Sequence, residues 1–86
     1  MTIQAEMLEL IKKYNNTDRA VIKANLKRLM NEYNIKAGDI INLGYAKNNV
    51  YSWTTKSSPN IPLFEQALTI AVTFKFDLKE FLQNIE

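Results

Sequence analysis

The chain has 86 residues, 47% hydrophobic and 23% charged, with a net charge of +2 and neither cysteine nor histidine. That balance fits one folded domain rather than a disordered chain. The missing residue types exclude disulfides, Cys/His zinc sites and the Ser-His-Asp or Cys-His pairs of nucleophilic catalysis.

Residues 2–14 read as an amphipathic helix, because Ile3, Met7, Leu10, Ile11 and Tyr14 recur on one face. Thr2 is its N-cap, Asn15-Asn16 breaks it, and Thr17 caps the next helix with Asp18 in its first turn. That second helix spans 18–33, with Val21 or Ile22, Leu26, Leu29 and Tyr33 as its stripe, and Asn34 as a left-handed end. A short helix over 37–43, with Ile40, Ile41 and Leu43 apolar, stops at Gly44. Another covers 46–54, with Val50 and Trp53 inward. Residues 55–60 (TKSSPN) form a loop. Pro62 suits the first turn of a helix over 63–74 striped by Phe64, Leu68 and Ala71, with Ala67, Ile70 and Phe74 beside it. Residues 72–76 (VTFKF) alternate like a strand, but helical spacing runs into them and no partner strand is evident, so helix and turn are expected. Asp77 caps a last helix over 78–85 carrying Leu78, Phe81, Leu82 and Ile85.

The basic residues gather in one region. Residues 19–36 hold Arg19, Lys23, Lys27, Arg28 and Lys36 against only Glu32. Lys23, Lys27 and Arg28 are assigned first to solubilising their helix, with the alternative that one of them reaches a nucleic-acid backbone, and Lys12-Lys13 to the favourable end of a helix dipole. No glycine-rich phosphate loop exists, since Gly38 and Gly44 are the only glycines, and no pair among the nine acidic residues is marked for catalysis. An enzyme is not expected, nor a cofactor or metal. The N-terminus lacks the basic start of a signal peptide, and no apolar run suits a membrane span, so a cytoplasmic protein is expected.

A glycine in a tight turn between two short helices is the mark of a helix-turn-helix, whose second helix enters the major groove of DNA. Here Leu43-Gly44-Tyr45 forms the turn. The following helix is polar outside, with Lys47, Asn48, Asn49, Tyr51 and Ser52, and apolar inside. The segment Ile22–Leu82 resembles the Cro/C1-type, XRE or lambda-repressor-like, family. Residues 22–29 (IKANLKRL) look like its first helix, 43–53 (LGYAKNNVYSW) like its turn and recognition helix, 62–71 (PLFEQALTIA) like its fourth helix and 77–82 (DLKEFL) like its fifth. The sequence departs from the family in a shorter third helix, in Gly38 within it, in Ala37 where a phosphate-contacting Gln is common, and in a longer loop after Trp53.

The resemblance implies an all-α, five-helix lambda-repressor-like domain over 17–86, with residues 1–16 as an additional N-terminal helix. Carried over by position, Lys47, Asn48 and Ser52 would contact bases, and Tyr51 a thymine methyl or a sugar. Lysine donates to guanine O6/N7, and asparagine pairs with adenine N6/N7. Lys36, Asn42, Asn49, Thr54, Thr55, Lys56 and Ser57 would meet the DNA backbone around the helix ends. Val50 and Trp53 belong to the core. The implied protein is a bacterial or phage transcriptional regulator, a repressor binding a palindromic operator as a homodimer. The extra helix packs on its own domain or joins a dimer interface, and Phe81 and Ile85 offer a second interface. A rival reading keeps the fold but binds a protein, as an antitoxin or inhibitor does. The weak net charge and Ala37 speak for that rival.

Overall fold

Apolar residues returning every three or four positions fold the chain into α1 (Ile3–Asn16), α2 (Arg19–Glu32), α3 (Ala37–Ile41), α4 (Lys47–Thr54), α5 (Phe64–Phe74) and a terminal 3-10 helix, η1 (Leu78–Leu82). The computed structural model describes residues 2–83, and among them there is no strand. No helix of the described residues is long and apolar enough to cross a membrane.

The first boundary falls later than expected. Asn15 and Asn16 continue α1, and Thr17 ends it by donating its hydroxyl to Lys13 O at 2.6 Å. Asp18, not Thr17, caps α2, accepting from Ala20 N–H at 2.8 Å. Asparagine costs a helix at most ~0.7 kcal/mol, too little to end one beside a good cap. Burial increases along α1. Ile3 is 81% exposed, Leu10 is partly buried, and Tyr14 is buried against the core, its ring edge-on to Phe64 at 5.7 Å. The additional helix thus packs on its own domain, against α5 and η1, through its C-terminal half.

In α2 the stripe is Ile22, Leu26 and Leu29, all buried. Tyr33 departs from it. The helix has ended there, and the exposed ring lies 5.3 Å from that of Phe76. Asn34 takes the left-handed conformation (φ +54°), and Ile35 N–H donates back to Met30 O at 2.8 Å. This is the Schellman end, which turns an apolar residue back onto its helix. Helix α5 ends in the same way. Lys75 has φ +64°, Phe76 N–H donates to Ala71 O at 3.0 Å, and Phe76 turns inward. The alternation of residues 72–76 is therefore a helix end followed by an inward turn, as expected.

Three further boundaries differ from the sequence reading. Helix α3 ends at Ile41 and gives way to a turn over Asn42–Gly44, where Gly44 has φ +107°. Pro62 lies before α5 rather than inside its first turn; it is buried, and its carbonyl accepts the Tyr14 hydroxyl. Residues 78–82 form a 3-10 helix instead of an α-helix reaching 85, and Ile85 lies outside the described residues. The 3-10 repeat places Leu78 and Phe81 on one side, and both are buried. Phe81, fully enclosed, is core and not an interface residue. The carbonyls left open by η1 are met by α2. Buried Asn25 donates to Phe81 O at 2.6 Å and Gln83 O at 2.8 Å, and Arg28 donates to Glu80 O at 3.2 Å.

Candidate nucleic-acid interface

Helix α4 carries most of the expected contact residues. Its two faces separate cleanly: Val50 and Trp53 are buried, the indole edge-on to Tyr45 at 5.5 Å, while Lys47, Asn48, Asn49 and Tyr51 are exposed. The Lys47 ammonium sits 5.9 Å from the Tyr51 ring centroid, within cation–π range. Asn48 makes no side-chain hydrogen bond among the described residues. Its amide is open to both donate and accept, as pairing with an adenine edge requires.

The hydroxyls are less free. Ser52 is half-buried and donates to Asn49 O at 2.7 Å. Thr54 donates to Tyr51 O at 3.2 Å, and Thr55 donates to the same carbonyl at 2.7 Å. A phosphate accepts but does not donate, so these hydroxyls present lone pairs where protons are needed. As arranged, the lysines are the better phosphate partners.

Two clefts lie beside α4. One, of about 460 Å³, is lined by Lys27 and Asn31 of α2, Lys36 and Ala37 at the start of α3, and Thr54. The other, of about 290 Å³, is lined by Ala20, Lys23, Ala24 and Lys27 of α2, with Thr54 and Lys56. The fold therefore brings Lys36, Thr54 and Lys56 to one side of the molecule. Asn42 stands at the far end of α3 from Lys36, and exposed Ser57 lines neither cleft.

Two basic residues of α2 are structural rather than merely solvated. The Lys23 ammonium donates to Ser52 O at 2.7 Å, Trp53 O at 3.1 Å and Asn60 O at 2.8 Å. It thereby caps the C-terminal carbonyls of α4 and ties them to the loop before α5. Partial burial, with the nearby Lys27 charge, lowers its pKa from the ordinary lysine value. Arg28 bridges Glu32 at 3.0 Å and Glu80 at 3.7 Å. The sequence marks Lys23 only as a polar residue beside the α2 stripe. Its acceptors lie 29 to 37 positions onward, and no local spacing signals a bond to a carbonyl so distant.

No protein-family model, curated protein or solved structure matches the chain.

Proposed function

We propose that the chain is a sequence-specific double-stranded DNA-binding regulator of the lambda-repressor-like helix-turn-helix kind, with an added N-terminal helix. One observation carries the reading: a short helix follows a turn with a positive-φ glycine, is anchored by Val50 and Trp53, and holds Lys47, Asn48 and Tyr51 outward. A helix presented in this way fits the major groove, where Lys47 and Asn48 meet base edges and Tyr51 meets a methyl or a sugar. Lysines flanking the helix hold the phosphates and set its register. Repression follows when the bound protein occludes polymerase, and a second copy of the chain reads the other half of a palindrome. The exposed apolar residues Ile3 and Leu8 on α1 are candidates for contact between copies.

The test is selection of binding sites from random duplex DNA at two salt concentrations, run in parallel on the Lys47→Ala/Asn48→Ala variant. Wild type should enrich a palindrome with affinity falling as salt rises, and the variant should enrich nothing while keeping its helicity. No enrichment by wild type at low salt would defeat this reading and favour the protein-binding alternative.

A further inference from the structure

Lys27 is one of three basic α2 residues that the sequence gives mainly to solubility, with one of them open to the DNA backbone, and it lines both clefts beside α4. We propose that the cleft between α2 and the C-terminal end of α4 receives the sugar-phosphate backbone of a nucleic acid, with Lys27 and Lys56 on its phosphates. This rests on the DNA-binding reading and identifies where one strand would run.

The shape and chemistry of the cleft support it. Ala20 and Ala24 line the cleft with methyl groups, and Lys27 and Lys56, both exposed, line it with ammonium groups. Methyl groups and two cations in one cleft match the mixed chemistry of a sugar-phosphate strand, whose sugars are uncharged and whose phosphates are anionic. Among the described residues no acidic side chain lines this cleft or its neighbour, and neither Lys27 nor Lys56 has a salt-bridge partner. The two clefts share Lys27 and Thr54, which extends the basic surface to Lys36. Lys47, Tyr51 and Thr54 follow one another at four and three positions along α4, so a single stripe leads from the outward readout face into the cleft. Burial first and the Lys27 charge second lower the Lys23 pKa, and an anion placed beside Lys27 would offset the second of these.

The third lysine of the cleft has a different role. An ammonium has three protons, and all three of Lys23's are directed to backbone carbonyls. Lys23 therefore does not bind phosphate, although it lies in the same cleft and carries the same charge.

The test measures affinity of the full chain, and of Lys27→Ala, Lys56→Ala and Lys12→Ala, for a selected duplex across a salt series. The same proteins are titrated with sodium polyphosphate, which has phosphates but no sugars or bases. Lys27→Ala and Lys56→Ala should each reduce the slope of log affinity against log salt by about 0.9 and weaken polyphosphate binding, while Lys12→Ala, at an exposed position of α1 outside both clefts, keeps the wild-type slope. Unchanged slopes in Lys27→Ala and Lys56→Ala would overturn the proposal, as would an equal fall in Lys12→Ala. A wild type that ignores duplex but binds polyphosphate through Lys27 and Lys56 would overturn the regulator reading and uphold the cleft as a phosphate site. Polyphosphate binding indifferent to both lysines would overturn the cleft.

Discussion

Lys75 takes the left-handed conformation at φ +64° without being glycine or asparagine, and it does so to bring Phe76 inward. A side chain with a Cβ costs about 1 kcal/mol or more in that conformation. Lys75 is exposed, and no hydrogen bond of its side chain is present among the described residues. Lys75→Gly should therefore stabilise the protein by about 0.5–1 kcal/mol, after the added chain entropy of glycine is subtracted, and raise Tm by ~2–8 °C. Thermal unfolding followed by circular dichroism checks this, and an unchanged or lower Tm would mean that the Lys75 side chain contributes something its exposure does not suggest. Asn34 occupies the equivalent place after α2 more cheaply, because asparagine tolerates φ near +54°.

At the level of an element, α4 is only eight residues long, and no side chain caps its N-terminus. Alone, such a segment would not hold a helix in water. It is held by the burial of Val50 and Trp53 and by side chains at its C-terminal end, where Lys23 takes Ser52 O and Trp53 O while Thr55 takes Tyr51 O. Methionine keeps the length of the Lys23 side chain and removes its donors. Lys23→Met should lower stability by about 1–2 kcal/mol, with the loss concentrated in α4. Amide hydrogen exchange reads this directly: exchange in α4 should accelerate relative to α5, whereas an even increase across all helices would show that Lys23 contributes general stability and no local docking. A loosened α4 would also blur the proposed readout face, since base contacts require a helix held at a set depth and angle.

For the molecule as a whole, α1 is joined to the rest through Tyr14, whose buried hydroxyl donates to Pro62 O ahead of α5. Burial raises the Tyr14 pKa well above its ordinary value of 10.0. The folded state thus holds this proton more tightly than the unfolded chain. The stability it contributes is complete below pH 10 and is lost as pH climbs toward the folded value. Lys23 acts with the opposite sign. Its pKa is lowered on folding, so its titration adds stability as pH rises toward 10.5. Comparison with Tyr14→Phe separates the two: the variant should lose about 1 kcal/mol at neutral pH and show a shallower decline above pH 10, measured by denaturant unfolding at a series of pH values. Equal alkaline slopes in both proteins would place the alkaline lability elsewhere.

Local chemistry in the sequence determined the all-helical class, the inward stripe of α2, the inward pair Val50 and Trp53, the turn at Gly44 and the helix-then-turn outcome at residues 72–76. Each follows from periodicity and conformational cost within a few neighbouring residues, which is information a sequence carries openly. Boundaries were less legible where two caps competed, as at Thr17 and Asp18, or where distant side chains satisfied the backbone, as Asn25 and Arg28 do for η1. The outward residues of α4 were readable as a set, but the commitment of the Ser52, Thr54 and Thr55 hydroxyls to carbonyls of their own helix was not. Tertiary structure alone decided that α1 packs at its C-terminal half, that Phe81 is core, that Lys23 grips the end of α4, and that Lys27 shares its clefts with Lys36, Thr54 and Lys56. Those contacts join residues tens of positions apart. Their partners are mostly backbone carbonyls, which every residue possesses and no residue type announces.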